Sequence, residues 1–141
     1  MSVEETRELC RRWLLELWHG ELSVAGEIVA PGFVGHWPSH DVHGPAGVAE
    51  AIGQGRSPFQ DISISLDLGP IADGDKVAAQ WTFRATYHGG LPGATAAAGT
   101  RVAFSGVDIL RVDPASRKIV EYWVVSDALK LMTQLGALPA P

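Results

Sequence analysis

The chain has 141 residues, a net charge of −5 and one cysteine, Cys10. That length suits a single domain over 1–141 with one core, and a lone thiol excludes a disulfide framework and points to a reducing, cytoplasmic setting. Scattered charge with no basic block argues against nucleic acid, while short apolar runs and Glu4 and Glu5 near the start argue against a membrane helix or a signal peptide.

Ser2 with Glu5 three residues on makes a capping box. Cys10, Trp13, Leu14, Leu17 and Trp18 then recur at the spacing of one helical face until Gly20, which predicts a first helix with Cys10 as a plain buried thiol. Leu22, Ala25, Ile28 and Val29 give a shorter helical pattern that Pro31 and Gly32 halt, and Phe33 to Trp37 reads as extended. Gly44-Pro45 opens another helix, with Pro where its missing N–H is harmless and Val48, Ala49 and Ile52 on the inner side.

From Gln60 the period changes to two. Ile62, Ile64, Leu66 and Leu68 alternate with polar residues, and after the turn at Asp73-Gly74-Asp75 the odd positions Val77 to Tyr87 form one apolar face, with Arg84 in the polar set. Gly89 to Gly99 has no periodicity and suits a mobile loop at a pocket mouth. Arg101–Val112 and Lys118–Asp127 are separated by a hairpin-length connection and should pair antiparallel. Helices followed by long strands imply an α+β plan, a curved sheet wrapped around the helices with a cone-shaped cavity.

Several pieces carry a resemblance: Phe33-Val-Gly-His36, Gly44-Pro-Ala-Gly-Val48, Trp81-Thr-Phe-Arg-Ala85, Ser105-Gly-Val-Asp-Ile-Leu-Arg111, and Ile119-Val-Glu-Tyr-Trp123 with Asp127. In order and spacing the chain resembles the SnoaL-like polyketide cyclases of the nuclear-transport-factor-2-like superfamily. The resemblance implies a cone-shaped α+β barrel with a mixed or antiparallel sheet, a homo-oligomer, and activity without metal or cofactor. It implies an intramolecular aldol ring closure on a hydrophobic carbonyl compound, with an aspartate near the end of the last strand as acid/base. By position that aspartate is Asp127.

A carboxylate delivered by a strand into an apolar chamber has its pKa raised toward the working range. Along the last strand Ile119, Glu121, Trp123, Val125 and Asp127 share one face, so Asp127 points inward if Trp123 does; otherwise it caps a helix beginning at Ala128. Asp108 lies mid-strand among Phe104, Gly106, Leu110 and Val112, where a carboxylate must be paired, protonated or facing a cavity, which makes it a candidate second acid/base or a group that orients one, with a cross-strand ion pair or a dimer contact as the alternative. His36 is a candidate hydrogen-bond donor to a substrate carbonyl or to the catalytic carboxylate, and Arg84 a candidate holder of an enolate oxygen. Trp37, Trp81 and Trp123 are candidate walls for a planar ligand, with Trp13 and Trp18 assigned to the core.

His36, His40 and His43 cluster without a zinc-like spacing, so no metal is expected. Three readings follow: a cofactor-independent cyclase or isomerase, an epoxide hydrolase using Asp127, Arg84 and Asp108 to activate water, and a noncatalytic module that binds a small hydrophobic molecule.

Overall fold

The capping box forms as the sequence requires. In the computed structural model, which describes residues 1–138, Glu5 donates its N–H to the Ser2 hydroxyl at 3.1 Å and Ser2 donates its own to the Glu5 carboxylate at 3.3 Å. Helix α1 covers Val3–Arg12 and widens into a π turn at Trp13–Leu17, where the Trp18 N–H reaches the Trp13 carbonyl at 3.2 Å. That wider turn carries Trp13 and Trp18 closer to one side of the helix than an ordinary helical repeat would.

After a 3₁₀ turn at Leu22–Val24, helix α2 is a single turn, Ala25–Ile28, and strand β1 takes over at Val29–His36. Pro31 and Gly32, expected to end a helix, lie within β1. Pairing with the neighbouring strand skips from Val29 to Val34, so the missing Pro31 N–H leaves no ladder bond unmade. Strand β2 is Asp41–His43, and helix α3, Gly44–Arg56, starts with Pro45 in its first turn as the sequence predicts.

Four long strands complete the sheet: β3 Phe59–Asp73, β4 Lys76–Tyr87, β5 Arg101–Asp113 and β6 Lys118–Ser126. Helix α4, Ala128–Leu135, follows. The order β2-β1-β6-β5-β4-β3 is mixed, with β1 parallel to β6 and every other pair antiparallel. The sheet is curved but open, a cone rather than a closed barrel, because β2 and β3 end it as unpaired edges. β3 outruns its regular alternation through irregularities after Gln60, Leu66 and Leu68, and Leu68 turns outward to 57% exposure.

The concave side holds the core, where Trp13, Leu14 and Leu17 of the π turn meet Phe33, Val48, Ile52, Leu110 and Tyr122. The segment between β4 and β5, expected to be a mobile loop at a pocket mouth, is instead tied to the end of α4. The N–H groups of Thr95 and Ala96 both donate to the Leu135 carbonyl at 3.0 Å, and Leu91, Ala94 and Ala96 pack on the core.

One irregularity decides which side chains face inward. Arg111 pairs with Glu121 and Val112 with Ile119, so Val120 is an extra residue on β6. Ile119 is buried before this bulge, and beyond it the inward set is Tyr122, Val124 and Ser126. Glu121, Trp123, Val125 and Asp127 are left on the outer set.

Candidate functional site

Burying the concave face leaves a cavity of about 260 Å³. Leu14 and Trp18 line it from the π turn, Trp37 and Pro38 from the β1–β2 turn, Trp81 and Phe83 from β4, Phe104 from β5, Val124 from β6 and Leu131 from α4. Its acidic group is Asp108, with Tyr122 and Ser126 as the hydroxyl-bearing neighbours.

Asp108 is 1% exposed, yet its carboxylate is well served. Trp81 donates its indole N–H to Oδ1 at 2.9 Å, Trp13 donates to Oδ2 at 3.0 Å, and the Tyr122 hydroxyl lies at 3.4 Å from Oδ1. Burial pushes the carboxyl up to about 7, against the pull of the Trp81, Trp13 and Tyr122 hydrogen bonds. The same burial, with the Asp108 charge adding to it, holds the Tyr122 phenol well above its ordinary range and pushes the Cys10 thiol up to about 12. A buried carboxylate whose protonation changes near neutrality, on the wall of an aromatic cavity, can accept a proton from a ligand and return it.

Two glycines make this possible. Gly106 faces Trp81 across β4 and β5, and a Cβ there would sit inside the indole ring's carbons; Gly35 likewise leaves room for Trp37 and Phe33. Trp37 then packs on Tyr122 with ring centroids 4.6 Å apart and on Trp13 at 6.3 Å. The indole N–H of Trp18 is buried with no partner among the described residues.

The expected site residues divide. Asp108, Trp37 and Trp81 come together at the cavity. Asp127 does not: it is exposed and caps α4, accepting the Lys130 N–H at 3.1 Å, because the Val120 bulge reverses the side on which it emerges. Trp123 emerges on that same outer side and stacks on His36, ring centroids 5.6 Å apart. His36 lies at the outer surface between Glu121 and Asp41, away from Asp108. Arg84 is also outside, donating to the Ser65 hydroxyl at 3.2 Å, so Asp127, Arg84 and Asp108 do not form a water-activating group.

His40 meets its neighbour Ser39, His43 stands opposite Val34, and among the described residues no three His, Cys, Asp or Glu side chains converge as metal ligands do. No helix of the described residues is long and apolar enough to cross a membrane.

Among the residues of the site that sequence reasoning missed are Trp13, Trp18 and Tyr122. Trp13 and Trp18 read as core because their spacing is that of any buried helical face, and the π turn that aims them carries no sequence mark. Tyr122 was placed on the side opposite Trp123, which is correct, but which of the two sides faces inward depended on the bulge.

Comparison with known proteins agrees with this architecture. Residues 8–135 match a family model described as SnoaL-like polyketide cyclase. TsrD from Streptomyces laurentii superposes with a TM-score of 0.82 at 26% identity, covering 98% of this chain and 99% of its own. AclR, a candidate hydroxylase from Streptomyces galilaeus, gives 0.81 at 28% identity over 98% and 100%. A candidate polyketide cyclase from Acidithiobacillus ferrooxidans gives 0.79 at 25% identity over 96% and 97%. No curated protein matches the chain.

Proposed function

Because the chain belongs to the SnoaL-like polyketide cyclase family, for which a cyclase or isomerase type of role is the common ground, we propose that Asp108 is its acid/base. The substrate is a hydrophobic, polyketide-type carbonyl compound that fits the aromatic cavity. The observation that carries this reading is the Asp108 carboxylate itself, 1% exposed, held by two indole N–H groups and a phenol, and lifted to about 7.

In its ionised form Asp108 removes a proton from a carbon flanked by carbonyls. The enolate attacks a second carbonyl held in the same cavity, forming a C–C bond, and the protonated Asp108 returns the proton to the new alkoxide. Proton transfer of this kind contributes about 10²–10⁴ in rate, and confinement of the reacting ends supplies much of the remainder.

Asp108→Asn keeps the size of the side chain and removes the base. Turnover of a polyketide-type diketone should fall by at least about a hundredfold while ligand affinity stays within a few-fold. Turnover at the parent rate would remove Asp108 from the mechanism. A product with one more oxygen, labelled from dioxygen, would instead favour hydroxylation, the activity attached to AclR.

A second copy of the chain is the proposed partner for the outer face of the sheet. Val107 pairs with Val125, Ile71 with Ala78, and Ala78 with Ile109, so Ile71, Val107, Ile109 and Val125 form one exposed apolar field. The charges beside it are of both signs, with Arg111 and Glu121 joined as an ion pair at 3.0 Å. Four strands about 4.8 Å apart and about ten residues long give roughly 650 Å² before side-chain relief, close to the roughly 800 Å² per partner of a stable interface.

A further inference from the structure

His36, Asp41, Glu121 and Arg111 form a connected chain on the outer face. His36 Nε2 meets Glu121 Oε2 at 2.7 Å and its Nδ1 meets Asp41 Oδ1 at 3.2 Å. Arg111 donates from Nε and Nη2 to the other Glu121 oxygen at 3.1 and 3.0 Å. With a carboxylate at each ring nitrogen, only the imidazolium donates to both.

The position of this chain matters more than its strength. His36 and Asp41 pair across β1 and β2 and so bracket the turn that holds Trp37 and Pro38, both on the cavity wall. Trp37 rests on Tyr122 and Trp13, two of the groups that donate to Asp108. An outer-face contact is thereby one residue away from the inner wall.

We propose that His36 is a positioning residue: by joining Asp41 to Glu121 it closes the β1–β2 turn, seats Trp37 against Tyr122 and Trp13, and shapes the cavity for its ligand. This rests on reading the cavity as the ligand site and requires nothing of the acid/base role of Asp108. The charged groups facing His36 are Asp41 from β2, Glu121 from β6 and, through Glu121, Arg111 from β5, with His43 two pairs further along β2.

The hydrogen bond to Glu121, and then that to Asp41, hold the imidazolium above its ordinary range against desolvation, while His36 holds the Glu121 carboxyl below its own. The turn is therefore closed while the imidazolium persists. It loosens as pH rises through the His36 pKa, when one carboxylate loses its donor.

The test uses N-phenyl-1-naphthylamine, an uncharged fluorophore, titrated into the parent, His36→Gln and His36→Lys between about pH 5 and 9. The parent should lose about two- to fivefold in affinity as His36 deprotonates. His36→Gln should bind at the weaker level with that component of the pH dependence gone, and His36→Lys should restore tighter binding. The turn is followed without ligand by ¹⁹F NMR of 5-fluorotryptophan-labelled protein, where the Trp37 signal should track His36 in the parent and not in His36→Gln.

If the parent fails to take up the fluorophore while Trp37 still tracks His36, the ligand-site reading falls and the clamp stands. A Trp37 signal and an affinity both indifferent to pH and to His36→Gln overturn the proposal.

Discussion

Trp81 reaches Asp108 at 2.9 Å because the residue facing Trp81 on β5 is Gly106, which lets the indole lie across the strand. Gly106→Ala places a methyl group where ring carbons now sit, and the indole must swing away. The variant should lose about 1–3 kcal/mol of stability from forced repacking, read by urea denaturation. Without the Trp81 hydrogen bond, which favours the anion, the carboxyl should also rise above about 7, and the acidic limb of a pH–rate profile should move upward. An unshifted limb would separate Trp81 from the acid/base group.

Asp108 should also tilt the protein's stability with pH. Its carboxyl stands at 3.8 in ordinary surroundings and about 7 in the fold. Between those values the folded protein holds a proton that the unfolded chain has released, so stability falls as pH climbs from about 4 to about 7 and levels above. The full span is on the order of 4 kcal/mol.

His36 adds to the fall, since its raised pKa stabilises the fold only below that pKa. Glu121, whose pKa is lowered, works in the opposite sense and withdraws its support as pH drops. Asp108→Asn should flatten most of the slope, measured by denaturation at about pH 5 and 8; an undiminished slope would place the titrating group elsewhere.

Much of the fold was legible because its signals are local. The Ser2 and Glu5 box, Pro45 at a helix start, the alternation from Val77 to Tyr87 and the β5–β6 hairpin each follow from spacing within a few residues, and each forms. β1 was misread at its start because Pro31 usually ends regular structure; here it occupies a stretch without ladder partners, which depends on β6, some ninety residues distant.

The site was legible only in part for the same reason. Asp108 was recognisable as an acid among apolar neighbours, a pattern confined to β5. Asp127 was expected inward on unbroken alternation along β6, and one extra residue at Val120 inverted the assignment. Registers and bulges arise from pairing between strands, so one strand's sequence leaves them open.

Cys10 should behave as an inert thiol. It is fully buried, and burial with the adjacent Asp108 charge pushes it up to about 12, leaving almost no thiolate at neutral pH. A disulfide reagent such as 5,5′-dithiobis(2-nitrobenzoate) should label it only on the timescale of unfolding, and fully in denaturant. Rapid labelling of the native protein would mean that α1 opens locally.

Val125 is 78% exposed on the outer face, opposite Val107, and it tests the proposed pairing of two copies. Val125→Lys leaves the concave core untouched, so helix content and melting of the separated chain should change little. In a two-fold contact each partner would meet the new cation near its own centre, where burying an unpaired charge is strongly unfavourable. Multi-angle light scattering should give a dimer or larger for the parent and a monomer for the variant. A parent that is monomeric at micromolar concentration would mean the apolar field is covered by something other than a second copy.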